Sequence, residues 1–288
     1  MNAIGEHELR ARLKTLPALP SAVLELSEAL RGDDVPTDRI VRAIGGDPAL
    51  TLSALRLANS SFYGVSDRVV TLRDAVQILG LHMLSSAVMT AAVMAVFDRK
   101  ACPAFDFDAS WRHAIATALC AQMLAQSRGI DGCTAYTAGL LHDIGRLALA
   151  THFPQQHAVA IEWAAEHDAS PIEAERAVLG LDHAQVGAMI ATHWRLAPNV
   201  IEAIGHHHDI GPECPEGAAQ NSTHALLDVL HLADNITHAL DLSREPDEMV
   251  PALSIAAWER VRPTGEELQQ VFARIEARVQ DFGGAFPA

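Results

Sequence analysis

The sequence predicts an all-α protein, and three observations carry that prediction. Apolar residues make up 49% of the chain but aromatic ones only 5%. The apolar content is therefore mainly Ala, Leu, Val and Ile, a composition that favours helix. Helix caps and stop signals recur along the chain at helix-length spacing. No stretch alternates apolar and polar residues in the two-residue period of a half-buried strand. A chain of 288 residues has room for one large domain or two smaller ones around a buried core. We read a helical bundle with an N-terminal helical unit over residues 1–105 and a second helical unit over residues 106–288.

In chain order, Pro17 and Pro20 bracket Leu-Pro-Ala-Leu-Pro and end any first helix. Ser21 can cap a helix with an apolar stripe of Val23, Leu24, Leu26 and Leu30. Thr37 opens a short helix carrying Ile40, Val41 and Ile44. Asp47-Pro48 pairs a cap with proline at the first helical position, ahead of Leu50, Leu52, Leu55 and Leu57. That helix stops at Asn59-Ser60-Ser61, where Asn59 and Ser60 read as holding the helix end. Thr71-Leu-Arg-Asp74 starts the next helix, Gly80 closes it, and Leu81–Phe97 reads as a buried core helix.

The pattern breaks over Cys102–Asp108, where we place the boundary between units. Ser110 is read as the cap of a helix over Trp111–Ser127. A central helix is expected over Thr134–Thr151, another over Phe153–Glu166, and a third from Ser170-Pro171. Asp182–Trp194 and Pro198–His207 follow, then a loop over His208–Gln220 and a helix over Asn221–Leu240. Thr264-Gly-Glu-Glu267 is a capping box before Leu268, Phe272, Ile275 and Val279, and Gly283-Gly284 ends that helix.

Charge and cysteine usage exclude several functions. A net charge of −15 argues against nucleic-acid partners, which need a basic stripe, and against anionic membranes. Cys102, Cys120, Cys133 and Cys214 form no Cys-x-x-Cys pair, so neither a thiolate zinc site nor a redox motif is indicated. The polar opening Met1–Arg10 does not read as a signal peptide. Leu81–Phe97 is shorter than the roughly 20 residues that span a bilayer. These features predict a soluble, cytoplasmic protein.

The chemistry is concentrated around Ala138-Gly-Leu-Leu-His142-Asp143-Ile-Gly-Arg146-Leu147. Here an apolar helical run is interrupted by a His-Asp pair. A buried carboxylate is costly unless paired, hydrogen-bonded or metal-bound. Imidazole plus carboxylate suits a divalent ion such as Zn, Fe, Mn or Ni. The alternative is a polar pair that caps backbone groups at a helix end. Thirteen of the 15 histidines lie between residues 113 and 238. Of these, His113, His142, His183, His207 and His208 interrupt or end apolar helical segments, and Asp234 has a similar setting in Leu230-His-Leu-Ala-Asp234. Side chains of this kind on several helices read as ligands converging in a bundle centre. His152, His157, His167, His193, His224 and His238 read as residues on solvated or half-buried faces. His206 and His231 could reach the site or orient its ligands. Asp74, Glu173 and Glu175 read as helix caps and surface charge.

The order His113, His142-Asp143, Asp234 resembles the H…HD…D signature of HD-superfamily metal-dependent phosphohydrolases. Leu-Pro-Ala-Leu-Pro, Asp47-Pro48-Ala-Leu, Leu57-Ala-Asn-Ser60-Ser-Phe-Tyr63-Gly and Ala75-Val-Gln-Ile-Leu-Gly80 resemble the N-terminal part of HDOD domains. Trp111-Arg-His113, Ala138-Gly-Leu-Leu-His-Asp-Ile-Gly145, Asp182-His-Ala-Gln-Val-Gly187 and Ala203-Ile-Gly-His-His-His208 resemble their C-terminal part. The resemblance covers most of residues 16–240.

It implies an all-helical fold and a non-catalytic regulatory or interaction module in bacterial signal transduction, with a protein partner. It also implies a relation to HD-GYP cyclic di-GMP phosphodiesterases. His113, His142, Asp143 and Asp234 match the residues that hold one ion in such enzymes. His183 and the pair His207-His208 match positions that hold a second. The chain departs from those enzymes in lacking Gly-Tyr-Pro after His208 and in carrying Arg146 in place of their lysine. Arginine keeps the charge with a different, forked geometry.

Two functions follow from the resemblance. One is the regulatory interaction module. The other is a metal-dependent phosphohydrolase acting on a nucleotide or cyclic dinucleotide. One or two divalent ions (Fe, Mn, Zn or Ni) would be held, with Asp143 between them where there are two. Water would attack phosphorus there, and Arg146 would hold a phosphate oxygen.

Overall fold

A computed structural model describes residues 3–20, 23, 37–59, 69–98, 100–209, 222–243 and 249–282, and every regular element among them is a helix. The N-terminal part comprises α1 (Glu6–Leu13), α2 (Thr37–Gly45), α3 (Pro48–Ala58), α4 (Leu72–Leu79) and α5 (Leu81–Met94). The expected start signals operate here. Asp47 Oδ1 accepts from the backbone N–H groups of Ala49 and Leu50 at 2.8 and 3.2 Å, satisfying donors that the first turn leaves open. Thr71 and Asp74 form a reciprocal capping box at α4. Asn59 exchanges two 2.8 Å hydrogen bonds with the Val69 backbone, so its role is to hold the end of α3. Ile40, Ile44, Ala54, Ala75, Leu84 and Val88 are buried together. The helix expected from Ser21 (apart from Val23) and the segment over residues 60–68 lie outside the described residues.

The second part is organised on α6 (Phe107–Gln126), which is buried on nearly every face. Against it pack α7 (Gly132–Leu141), α13 (Ser222–Ala239) and α15 (Gly265–Phe282). The others are α8 (Ile144–His152), α9 (Pro154–His167), α10 (Pro171–Leu179), α11 (His183–His193), α12 (Pro198–His206) and α14 (Ile255–Val261). Helix α11 packs on α8 and α12, and α12 packs on α13, so these helices enclose one interior. The N-terminal segment reaches this part as well. The Ile4 N–H donates to the Leu179 carbonyl at 2.9 Å, and Trp194 Nε1 donates to the Pro17 carbonyl at 3.0 Å.

Two expectations about elements are corrected. Asp106, not Ser110, caps α6; its Oδ1 accepts from the Ala109 N–H at 2.9 Å, and Ser110 is buried inside the helix. The expected central helix over Thr134–Thr151 is two helices that break at His142-Asp143. Adjacent side chains on an unbroken helix diverge by about 100°. The break allows both residues of the pair to face the same interior. Helix α14 had no counterpart in the sequence reading.

Glycine permits two close helix approaches. A Cβ on Gly139 would lie 2.6 Å from Ala118 Cα, so α7 lies backbone to backbone on α6. A Cβ on Gly145 would lie 2.7 Å from the His183 carbonyl carbon and 2.9 Å from the Gly187 nitrogen. This second contact presses the start of α8 against the start of α11. Among the described residues no single helix is long and apolar enough to cross a membrane.

Candidate metal centre

Asp143 decides between the two readings of the His-Asp pair. It occupies the N-cap position of α8, yet its side chain caps nothing. Its carboxylate faces inward instead. Oδ1 lies 3.2 Å from His183 Nε2, 3.6 Å from His142 Nε2 and 3.6 Å from His207 Nε2. The fold thus turns the carboxylate away from the helix end and toward three imidazoles.

Around it the candidate ligands form overlapping groups. One contains Asp143, His183, His207 and His208, a second His113, His142 and Asp143, and a third His113, Asp234 and His238. Asp234 Oδ1 is 2.9 Å from His113 Nε2 and 3.4 Å from His142 Nε2, which joins the last two groups. All seven residues expected as metal ligands therefore meet in one interior. His142 and His207 are fully buried, and His113, Asp143, His183 and Asp234 are nearly so. His208 is half-buried.

Each ring is aimed by its second nitrogen. His142 Nδ1 and His207 Nδ1 lie 2.7 Å from the carbonyls of Gly139 and Ile204. A carbonyl only accepts, so Nδ1 carries the proton and Nε2 keeps its lone pair for the interior. Glu175, 1% exposed, accepts from both the His183 backbone N–H (2.7 Å) and His183 Nδ1 (2.6 Å). Outer partners of this kind fix tautomer and orientation at metal sites. His231 acts one step further out. It accepts from the Ser254 N–H at 3.0 Å and donates from Nδ1 to the His207 carbonyl at 3.0 Å.

The electrostatics show how strongly the buried carboxylates and the rings depend on one another. Burial alone would raise Asp143, but the His142 and His183 rings hold it well below the usual carboxylate range. Asp234 is likewise held low against burial by His238, His113 and His142. Burial would lower His183, but Glu175 and Asp143 outweigh it and push that ring up to about 10. His142 is also raised, whereas burial lowers His113. The buried carboxylates thus need positive charge beside them to remain ionised.

The donor set fits divalent ions. His207 Nε2 and Asp234 Oδ2 are buried without a hydrogen-bond partner. Orphans of this kind cost about 1–3 kcal/mol each. Pairs such as His113 Nε2 and His142 Nε2 (3.1 Å) or His183 Nε2 and His208 Nε2 (3.0 Å) set one ring nitrogen directly against another. Neighbouring ligands that share an ion about 2.1 Å away are about 3.0–3.4 Å apart. Mixed imidazole and carboxylate donors suit Fe, Mn, Zn or Ni.

Arg146, also buried, reaches Asp143 Oδ2 at 3.4 Å and lies over the Phe105 ring with its guanidinium carbon 5.5 Å from the centroid. Two residues that the sequence reading placed elsewhere belong to the centre. Glu175 is not surface charge but the buried partner of His183. His238 is on a half-buried face, as expected, but joins the centre all the same, since its Nε2 lies 3.3 Å from Asp234 Oδ1. The signal for His238 is its i+4 spacing from Asp234 on one helix face. His157 is buried against Phe105, both ring nitrogens lack hydrogen bonds, and burial lowers its pKa to about 4. His206 is exposed and outside the centre. Asp74 and Glu173 are helix caps, as expected.

The HDOD domain family model matches residues 16–210. The chain belongs to the HDOD domain family. An HDOD domain protein from Geobacter sulfurreducens has the same fold, with a TM-score of 0.77 at 23% identity and 98% of both chains covered. A Shewanella amazonensis protein named as a proposed phosphohydrolase matches with a TM-score of 0.70 at 27% identity over 97% of this chain and 98% of that one. An uncharacterized Treponema pallidum protein is 28% identical over 273 residues, 91% of this chain and 50% of its own length. Ribonuclease Y of Clostridium kluyveri is 33% identical over 97 residues, 34% of this HDOD chain and 14% of the enzyme. The chain thus spans half the length or less of the curated relatives it matches. The matched HDOD region ends before Asp234 and His238, which α13 brings back to the centre.

Proposed function

We propose that this HDOD chain is a regulatory module of bacterial cytoplasmic signalling, built around a bound divalent metal centre and acting through a protein partner, not by turnover. The closure of the centre carries this reading. The ligand side chains of His113, His142, Asp143, His183, His207 and Asp234 are 0–8% exposed, and of the seven only His208 is half-buried, at one edge of the second group. Arg146, the cation best placed to grip a phosphate, is folded inward onto Asp143. His113, His142, Asp143 and Asp234 would hold one ion, and Asp143, His183, His207 and His208 a second. Pinned to α6, α7, α11, α12 and α13 at once, such a centre would fix the helix arrangement that a partner reads.

A second reading is favoured by one observation: both ligand groups are present, with Asp143 between them. It makes the chain a phosphohydrolase acting on a nucleotide or cyclic di-GMP. The 27% identical Shewanella amazonensis protein, named as a proposed phosphohydrolase, supports it. Bound divalent ions supply Lewis acidity at a phosphoryl group and steady charge on the attacking and leaving oxygens. In this reading Asp143 holds the two groups in register, and Arg146 leaves Asp143 to donate two N–H bonds to phosphate oxygens.

The test is elemental analysis of untagged protein purified without added metal, alongside Asp143→Ala. Turnover of cyclic di-GMP and bis(p-nitrophenyl) phosphate is then measured with Mn and with Fe. We expect one or two ions, their loss in the variant, and no turnover above metal and buffer. Turnover that disappears in Asp143→Ala would overturn the non-catalytic reading in favour of the second. A folded protein that neither carries nor takes up metal would overturn both.

A further inference from the structure

We infer that His238 is itself a metal ligand, completing the coordination of the ion held by His113, His142 and Asp234. The inference rests on the metal-centre reading above and extends it to a residue outside the H…HD…D pattern. Three imidazole nitrogens converge on one oxygen of Asp234: His113 Nε2 at 2.9 Å, His238 Nε2 at 3.3 Å and His142 Nε2 at 3.4 Å. The other oxygen, Oδ2, is buried and has no hydrogen-bond partner. A carboxylate satisfied by hydrogen bonds alone spreads its donors over both oxygens, each with two acceptor sites. Crowding on Oδ1 beside a bare Oδ2 is the arrangement of ligands gathered about a common centre.

His238 is built to be there. It stands one helical turn after Asp234 on α13, so both side chains lie on the same face. Its ring lies 4.2 Å from the His113 ring between centroids, packed over a residue that is already a ligand. His113, Asp234 and His238 each place a donor atom within 4.8 Å of the others. The two ions then become unequal. The first has five protein ligands, His113, His142, Asp143, Asp234 and His238, and the second has Asp143, His183, His207 and His208. In a six-coordinate ion the first keeps one open position and the second keeps two. The first ion is accordingly the retained one, and the second the more exchangeable.

Cobalt(II) is the probe. The wild-type chain and His238→Asn are stripped with chelator, reloaded with cobalt(II), and compared by proton NMR and by competition with a chromophoric chelator. Each histidine bound through Nε2 contributes one exchangeable, paramagnetically shifted Nδ1–H signal. We expect six such signals from the wild type (His113, His142, His183, His207, His208, His238) and five from the variant. Loss of an outer partner typically weakens metal binding about 10–100-fold. Removal of a ligand is expected to weaken the tighter ion by at least about 100-fold and leave the weaker one unchanged. His238→Gln and thermal melts of the apo forms establish that the variants are folded. Five signals in the wild type, unchanged in a folded variant with unchanged affinity, would overturn the inference and leave the metal centre standing. No shifted signals in the wild type would overturn both.

Discussion

The two ligand groups on either side of Asp143 are held by different means. His113 and Asp234 lie in the middle of α6 and α13, long helices whose registers are fixed by buried apolar side chains. His183, His207 and His208 lie at helix ends instead: the first residue of α11 and the residues just after α12. A residue in mid-helix is placed by packing along its whole length. A residue at a helix end is placed by its local cap, and here those caps are Asp182, Glu175 and the His207 ring bond to Ile204. His142, at the end of α7, is aimed as His207 is, by a ring bond to the carbonyl three residues back. The contrast therefore rests on His113 and Asp234, which make the first group the more rigid side of the centre and the second the more adjustable. Variants can separate them.

The largest effect is expected at the junction of the two. Gly145→Ala would drive a methyl group into the His183 carbonyl, a backbone group that cannot yield. Overpacking against side chains that can shift costs about 1–3 kcal/mol, and here the contact is with backbone, so the cost is expected well above that range. We expect a marked loss of thermal stability and loss of the second group's metal, measured by melting and metal content. Asp143→Asn removes the charge shared by both groups. In the metal-free protein it leaves the raised His142 and His183 without that partner, and breaking such a buried pair costs about 3–5 kcal/mol. Metal retention should fall on both sides.

Glu175→Gln separates the groups. It should weaken the second ion about 10–100-fold and leave the first untouched, by competition with a chelator. An equal loss on both sides would remove the distinction between rigid and adjustable groups.

The sequence names every candidate ligand of the second group and all of the first except His238; what it hides of the second is Glu175, the partner behind His183. His113, His142-Asp143 and Asp234 stand out because each interrupts an apolar run. Glu175 does not, because Pro-Ile-Glu-Ala-Glu-Arg reads as a charged, solvated turn; only tertiary packing shows that Glu173 caps the helix while Glu175 points inward. The break between α7 and α8 was equally hidden. Neither proline nor a polar run marks it; the backbone leaves the helix at Asp143 (φ −98°, ψ 14°), whose carboxylate faces the histidines instead of capping α8. The helices themselves were legible wherever Asp, Ser or Thr caps announced them. Asp106 and Ser110 are both good caps four residues apart, and the sequence alone does not choose between them.

A smaller effect is expected with pH. His183 is raised to about 10 in the metal-free fold, where burial opposes the shift and Glu175 and Asp143 outweigh it. A raised pKa adds stability that is fully present below the unfolded value of about 6.5 and is lost as pH rises toward 10. The melting temperature of the metal-free protein should fall across that window. The metal-loaded protein should not follow it, because its rings are already neutral. The smallest effect lies away from the centre. Glu267, drawn down to about 2 by its hydrogen bonds to Arg128, ties α15 to the end of α6. Its contribution is present above about pH 4.5 and lost as pH falls toward 2, and Glu267→Gln should cost no more than about 1 kcal/mol.

The most direct measurement is anomalous X-ray diffraction from crystals of the metal-loaded protein, collected on either side of the metal's absorption edge. The account predicts two peaks flanking Asp143. The stronger would lie among His113, His142, Asp234 and His238, and the weaker among His183, His207 and His208. Peaks confined to the surface, with these side chains paired only to one another, would contradict it.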